Sequence, residues 1–487
     1  MAELLTPGVS HGYKWRPIED ISGEPERDRE LEALCDVWRK QRETFSQEQS
    51  IARFNKELAR EWAIETGAIE GIYAISRGTT QTLIERGIDA RYIPDGTANR
   101  PSDLVAGIIQ AHAEVLEGLF AFIKSERNLS TSYIKELHAA LLKHQDTTTA
   151  RDQFGNAVEI RIERGAYKLQ PNSPTCEDGS LHEYCPPEHV AAEMDRLIEL
   201  HALHQNLGVQ PVVQAAWLHH AFTQIHPFQD GNGRVARSIA TLVLLKAGFF
   251  PLIVDRDDRR YIDSLEAADA GDLGAVIRFF STLQKKHLTK AIGLAVDVKP
   301  ASNVDDAVRL TSNMLVNLGR VIPKEWLAAK HNANQLRNLA QGRMNHIFGL
   351  LQEQLSSVDK AFVFSVGPPA RPPIDALRTV ARTQQYDPDL NQYNKSVQLT
   401  LEAPSPAQTA KTAAKIIISF HGVGASYRGV LAVSSFFQDG KAEPVPLSDD
   451  IFRVSYEESF SELQKRFAPW TESCLVKGIG LWRRTLL

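Results

Sequence analysis

The sequence predicts a mainly α-helical protein that ends in a smaller α+β domain. Apolar residues recur at helical spacing up to about Ser357, as in Val235, Ile239 and Leu242. Beyond the proline-rich stretch Gly367–Pro373, short alternating or apolar runs replace that spacing, and Asp439-Gly440 is a good hairpin turn. The change in pattern indicates a second kind of architecture in the last quarter of the chain.

We predict four regions. They are a helical N-terminal region (1–100), a helical core (101–290), a helical connector (291–358) and an α+β domain (359–487). In chain order the predicted helices are 27–45, 47–65, 104–124, 130–143 and 189–201, the predicted strands are 396–401, 415–420, 429–437 and 452–456, and a last helix is expected at 456–467. The α+β domain serves target recruitment, assembly or only structure, and its sequence leaves these alternatives open.

Composition is typical of an intracellular enzyme. The 487 residues are 43% hydrophobic, which is enough for two or three cores, and four unevenly spaced cysteines form no disulfide framework. No basic segment followed by a long apolar stretch is found at the N-terminus, and no membrane span is predicted. A net charge of −5 provides no overall attraction to nucleic acid, although a local basic face stays open. We expect a cytoplasmic protein.

The most informative stretch is His226–Arg237, which reads HPFQDGNGRVAR. Apolar spacing predicts a helix before it and another after it, whereas Asp230-Gly231-Asn232-Gly233 favours a turn. The stretch is therefore a loop that opens a helix. Backbone N–H groups and the helix dipole at such an N-terminus form an anion site.

The side chains in this loop suit a nucleotide polyphosphate. Arg234 and Arg237 lie three apart on the new helix and can reach one polyanion. Asp230 can hold Mg²⁺ together with substrate phosphates, and His226 can accept a proton from a hydroxyl. Taken singly, each residue fits a helix cap, a plain turn or a solvated face better than a nucleotide site, and it is their order and spacing together that favour a nucleotide site.

The run His226-Pro227-Phe228-x-Asp230-Gly231-Asn232-Gly233-Arg234-x-x-Arg237 resembles the signature of the Fic family at every defining position. The similarity covers roughly residues 60–285. It implies a Fic-type helical core with a small β-hairpin flap and an adenylyltransferase activity (AMPylation), in which AMP passes from ATP to a Tyr, Thr or Ser hydroxyl of a protein and pyrophosphate leaves.

The resemblance also implies roles for single residues. His226 is the general base, Asp230 the Mg²⁺ ligand, and Pro227 and Phe228 are structural. Asn232 and the backbone of Gly231 and Gly233 hold the α-phosphate, while Arg234 and Arg237 bind the β- and γ-phosphates. Relatives with Lys in place of Gly233 favour phosphorylation, so Gly233 argues for AMP transfer.

A second motif lies upstream of the loop. Thr66–Gly71, reading TGAIEG, resembles the family's inhibitory pattern Ser/Thr-x-x-x-Glu-Gly/Asn. It implies that Glu70 pairs with Arg237 and occupies the guanidinium that should receive the γ-phosphate. The alternative is a solvated helix with Glu70 in water.

The segment Arg164–Gln170 resembles the start of the family's flap, which docks a target by strand addition. The expected partners are ATP and a protein with a reactive hydroxyl, which includes this protein itself. Because dimerisation is common among relatives with such an inhibitory helix, a homodimer is an expectation that rests on the resemblance alone. Two other functions stay open, a hydrolase that removes AMP at the same site and a non-catalytic nucleotide-binding regulator.

Overall fold

The computed structural model of the chain describes residues 13–21, 28–44, 48–94, 96, 98–151, 157–175, 180–293, 324–355, 362–403, 413–423, 429–440 and 442–486. The chain divides into two compact units. The first contains residues 1–27 and 52–284, and the second contains residues 28–51 and 285–487. Of the predicted connector, residues 294–323 lie outside the described part.

The first unit is built from helices. In chain order these are α2 (Glu48–Ala68), α3 (Arg77–Arg86), α4 (Ser102–Lys124), α5 (Thr131–Leu141), α6 (Pro187–Asn206), α7 (Pro211–Ile225), α8 (Asn232–Lys246), α9 (Arg260–Asp269) and most of α10 (Leu273–Ile292). The mainly α prediction is thereby confirmed, and each of the five predicted helices overlaps an observed one, with α1 (Arg29–Thr44) matching the first.

Helices α7 and α8 form the centre of this unit. Nearly every residue of both is buried, so each helix is surrounded by protein on all sides, as expected at the centre of a core. Pro211 occupies the first turn of α7, where its missing N–H is tolerated, and Gly248 follows α8 with φ +83°. The His226–Arg237 loop joins these two helices, so two buried helices position it.

Helix α4 is the one helix in the described ranges with the length and apolar composition of a membrane span. Its buried face, which includes Val105, Ile109, Val115 and Leu119, packs inside the first unit. Core helices of this kind pass the same length and composition test as true spans.

A small hairpin follows α5. Strands β1 (Thr147–Arg151) and β2 (Ala157–Arg161) pair antiparallel with Thr147 opposite Arg161. The predicted start of the flap at Arg164–Gln170 is therefore wrong, because the hairpin precedes that segment and the segment itself contains only turns and irregular backbone. Gly165, with φ +75°, turns the chain there.

The second unit has an antiparallel sheet and confirms the predicted α+β fold class. The strands are β3 (Val363–Gly367), β4 (Pro388–Glu402), β5 (Ala413–Val423), β6 (Val430–Asp439), β7 (Val445–Pro446) and β8 (Phe452–Ser455), in the order β3-β4-β5-β6-β7 with β8 also on β6. The helices of this unit are α1, α11 (Lys324–Leu355), α12 (Ile374–Thr383) and α13 (Phe460–Thr485).

One face of that sheet, with Leu399, Ile418 and Val433, shares a core with α11 and α13. Helix α12 covers part of the other face through Leu377 and Val380. The last helix starts four residues later than predicted and runs much longer, since the Ser459–Glu462 capping box sets its first turn and an interior Pro469 does not end it. Strand β6 ends at Asp439, as the predicted hairpin turn requires.

Candidate nucleotide-transfer site

His226 lies where α7 ends. Its backbone adopts φ +51°, ψ +57°, and its N–H donates to the Phe222 carbonyl at 2.9 Å. The ring Nδ1 is 3.2 Å from the Thr223 carbonyl oxygen, which can only accept, so Nδ1 carries the proton and Nε2 is the basic nitrogen. Burial and the nearby Lys168 ammonium lower the pKa of His226 to about 3. The ring is thus neutral near pH 7, as a proton acceptor must be.

Phe228 anchors the loop in the core. Its side chain is fully buried and stacks on His138 with a centroid separation of 3.9 Å. His138 accepts from the Gly165 N–H at 2.8 Å through Nδ1 and donates through Nε2 to the Asp230 carbonyl at 3.1 Å. A neutral His138 therefore fastens α5 to both the loop and the segment after the hairpin, and burial lowers its pKa to about 4.

Asn232 holds the loop in its turned shape. Its side-chain oxygen accepts from the Phe228 N–H at 2.9 Å, and its side-chain N–H donates to the Phe228 carbonyl at 2.7 Å. Gly231, the residue before α8, has φ +78°, and a Cβ there would collide with Leu142. Pro227 is buried, and its carbonyl accepts from the Lys168 N–H at 2.8 Å.

Arg234 and Asp230 share one partner, Gln145. The Gln145 side chain donates to the Asp230 carboxylate at 2.7 Å and accepts from the Arg234 guanidinium at 2.9 Å. Asp230 and Arg234 are themselves 3.5 Å apart. Burial raises the pKa of Asp230, but the charge of Arg234 and hydrogen bonds from Thr148, Gly231 and Gln145 outweigh it, so the pKa is lowered and the carboxylate stays ionised.

Asp230 is suited to bind a magnesium ion that takes most of its other ligands from water and substrate rather than from the protein. It is ionised and 26% exposed, and no group of three or more His, Cys, Asp or Glu side chains suited to a metal occurs in the described ranges. Mg²⁺ commonly takes one or two carboxylates and completes its shell with water and substrate phosphate oxygens. The donor set therefore suits a metal that arrives with a nucleotide.

Arg237 is fully buried and paired with Glu70. The guanidinium contacts the Glu70 carboxylate at 2.8 Å and donates to the Thr66 carbonyl at 2.9 Å. Its other edge lies 3.4 Å from the Tyr261 hydroxyl. Burial lowers the pKa of Arg237, and the Glu70 charge and the Tyr261 contact outweigh it, so the pKa is raised and the group stays charged.

The Glu70 carboxylate lies over the first turn of α8. A Cβ on Gly233 would overlap the Glu70 carboxylate and approach the Arg237 guanidinium, so only glycine leaves room for an anion at this position. In the described residues no side chain caps α8. Glu70 thus occupies a place where backbone N–H groups and the helix dipole favour negative charge.

Helix α2 carries Glu70 just past its end and is firmly attached. Gly71, with φ +65°, terminates the helix, and the Ile72 N–H donates back to Gly67 at 3.3 Å. One turn earlier, the buried Glu65 accepts three hydrogen bonds from Arg256. These contacts hold the end of α2, from which the Glu70 side chain reaches Arg237.

The loop and the start of α8 carry His226, Asp230, Arg234 and Arg237, and the end of α2 places Glu70 against Arg237. Sequence reasoning missed Gln145 and the ring of Tyr184, which stacks on His226 at 3.7 Å. It also missed Lys168. No local pattern marks Gln145 or Lys168 as part of the site, because the loop residues that they contact lie far away in sequence.

Comparison with known proteins decides the family of this site. Residues 128–244 match the Fic/DOC family, and this range contains the whole loop. This chain carries a Fic domain.

This chain is similar in sequence to two curated proteins, among others. It is 26% identical over 279 residues to "Protein adenylyltransferase fic-1" of Caenorhabditis elegans, which is 57% of this chain and 47% of the relative. It is 34% identical over 242 residues to "Protein adenylyltransferase Fic" of Drosophila mojavensis, 49% of this chain and 42% of the relative. The chain spans less than half the length of either relative.

Among solved structures, a Fic domain containing signaling protein from Bacteroides thetaiotaomicron is 25% identical. The alignment covers 55% of this chain and 99% of that chain, with a TM-score of 0.44.

Proposed function

We propose that this protein is an autoinhibited adenylyltransferase that moves AMP from ATP to a hydroxyl of a protein target. The observation that carries the proposal is the loop between α7 and α8, where a neutral imidazole lies within one short turn of an anion-binding helix end. The names of the two curated relatives support nucleotide transfer rather than another use of the same groups.

In the proposed reaction, Nε2 of His226 takes the proton of the target hydroxyl as its oxygen attacks the α-phosphorus of ATP. The bond from that phosphorus to the oxygen bridging to the β-phosphate breaks, and pyrophosphate leaves with the electron pair. The backbone of Gly231 and Gly233 at the start of α8 binds phosphate oxygens. Arg234 and Arg237 bind the β- and γ-phosphates, so the chain acts mainly by positioning and charge.

Asp230 would hold Mg²⁺ when a nucleotide is bound, and the ion would neutralise phosphate charge as pyrophosphate departs. The Asn232 side chain keeps both of its hydrogen bonds to Phe228 in this role, so its contribution is to hold the backbone N–H groups in place.

Autoinhibition is supported by the Glu70–Arg237 contact. The Glu70 carboxylate lies 2.8 Å from the fully buried Arg237 guanidinium. It therefore accepts the hydrogen bond that the guanidinium would otherwise donate to the γ-phosphate. ATP then meets both an occupied cation and a negative charge at the helix end. We infer that productive binding requires Glu70 to move, by displacement of α2 or rotation of the side chain.

The test compares ATP labelled on the α-phosphate with ATP labelled on the γ-phosphate. Full-length protein with Glu70→Gly is incubated with MgCl₂, a lysate as acceptor, and ATP labelled on the α- or the γ-phosphate. Relative to the same lysate without the variant, we expect protein to acquire additional α-label only, and the double variant Glu70→Gly with His226→Ala to add no label. Transfer of the γ-label would indicate phosphorylation instead, and α-label transfer without His226 would remove the proposed base.

A further inference from the structure

A segment between β2 and α6 lies across the catalytic loop and is tied to it in several places. We call residues 165–175 and 180–185 the strap. Lys168 donates its backbone N–H to the Pro227 carbonyl at 2.8 Å, and the Asn172 side chain donates to the Phe228 carbonyl at 2.7 Å. The Cys185 N–H reaches the Gln224 carbonyl at 3.4 Å. The strap therefore contacts residues that precede His226 in the sequence and residues that follow it.

The strap is held together by its own polar side chains. Lys168 is a buried residue, and its ammonium donates to the Asn172 side-chain oxygen at 2.7 Å. The Ser173 hydroxyl accepts from the Tyr184 N–H at 3.0 Å. A buried lysine needs such partners, because an unpaired charge in a dry site is costly. These bonds fix the backbone on which Tyr184 is carried.

Tyr184 presents its ring to His226. The two rings are parallel within 5° and their centroids are 3.7 Å apart. The ammonium of Lys168 lies 5.8 Å from the centre of the same Tyr184 ring. Together with the bond from Nδ1 of His226 to the Thr223 carbonyl, the stack restrains the imidazole about both of its side-chain torsions.

We propose that Tyr184 is a positioning residue for His226, which holds the imidazole in one plane and one tautomer and stabilises it when it takes up a proton. The inference rests on the proposed function, in which His226 is the base. A base must be oriented before the hydroxyl arrives, since small misplacement costs much of the rate. The face of an aromatic ring also attracts a cation, and the imidazolium that forms during transfer is such a cation.

The kinetic test compares two matched variants in the Glu70→Gly protein. Tyr184→Phe keeps the ring, and we expect its kcat to stay within about twofold. Tyr184→Leu removes the ring but keeps an apolar side chain, and we expect kcat to fall about 3- to 30-fold with the KM for ATP unchanged. Equal loss in both variants, or an unchanged kcat in Tyr184→Leu, would overturn the proposal.

The second readout needs no turnover. Side-chain ¹⁵N shifts of histidine-labelled protein report the tautomer, and the His226 signal is identified by its loss in His226→Ala. We expect a single Nδ1-protonated form in the parent and in Tyr184→Phe, and a mixture of tautomers in Tyr184→Leu. A single tautomer in Tyr184→Leu contradicts the proposal.

The two readouts separate this proposal from the proposed function. If Glu70→Gly protein never transfers AMP, the enzymatic proposal fails while the tautomer measurement still judges the stack. If Tyr184→Leu does not fold, as its melting curve would show, Tyr184→Met fills similar space without a ring and is read by the same criteria.

Discussion

Replacing Glu70 with glycine removes the carboxylate that pairs with Arg237 and tests whether this contact restricts ATP. Glu70 follows α2 in a turn, so the change creates no glycine inside a helix. Arg237 keeps its bonds to Thr66 and Tyr261, and the guanidinium therefore stays in place. What changes is the access of the γ-phosphate to that guanidinium.

The size of the effect follows from the contact. A charge-assisted hydrogen bond at 2.8 Å with one partner buried contributes about 1.5–3 kcal/mol. If ATP must break it to bind productively, at about 1.4 kcal/mol per factor of ten, kcat/KM for AMP transfer should rise roughly 10- to 150-fold in Glu70→Gly. Glu70→Gln keeps the shape but not the charge, and it should give a smaller increase.

The assay measures initial rates of AMP incorporation over a range of ATP concentrations, by mass spectrometry of the modified protein. Glu57→Gln, on the same helix and paired only with the exposed Arg53 in the described structure, is the control and should behave as the parent. An increase below about threefold in Glu70→Gly would mean that the carboxylate does not restrict ATP. The gating argument would then be wrong even if AMP transfer occurs.

Other predictions follow from the same geometry. Gly233→Ala should lower AMP transfer even with Glu70→Gly, because the added methyl group would lie 3.1 Å from the Arg237 guanidinium where the γ-phosphate is expected to bind. The melting temperature, measured alongside, should change little, and unchanged activity would contradict the close approach. Gln145→Leu should raise the KM for Mg-ATP about tenfold, since Arg234 loses its bond and Asp230 loses a donor; an unchanged KM would make that bridge irrelevant. Thermal stability should fall as the pH drops below about 6.5, because six buried histidine rings have a lowered pKa in the folded protein and bind protons only after unfolding. A constant melting temperature from pH 7 to 5 would refute this. The rings with pKa lowered to about 3 or 4 are His112, His138, His201, His226, His287 and His421.

The helical core could be predicted well because its signals are local. The spacing of apolar residues and the prolines and glycines at helix ends act within a few residues, and α2, α4, α7 and α8 appear near their expected positions. The hairpin was placed too late in the chain. Arg164–Gln170 has turn-forming residues but no alternation, and pairing of β1 with β2 depends on two short strands of weak pattern.

The second unit shows a different limit. Its strands were found because β5 and β6 are apolar over most of their length. That α1 belongs with this unit, by contrast, could not be read from its sequence. The buried Glu30 of α1 pairs with Lys285 at 2.9 Å and Arg466 at 3.0 Å, and these partners come from distant parts of the chain. Burial raises the pKa of Glu30, but the cations outweigh it and lower the pKa to about 2.

Which residues share the loop follows from their order in the chain alone. His226, Asp230, Arg234 and Arg237 lie within one turn and the start of one helix, so the local backbone alone brings them close. The residues that surround this loop could be known only from the tertiary structure. Glu70 rests on Gly233, Gln145 joins Asp230 to Arg234 and Tyr184 covers His226, because these contacts arise when separate helices and segments pack around one buried loop, and no short-range preference of the chain encodes that packing.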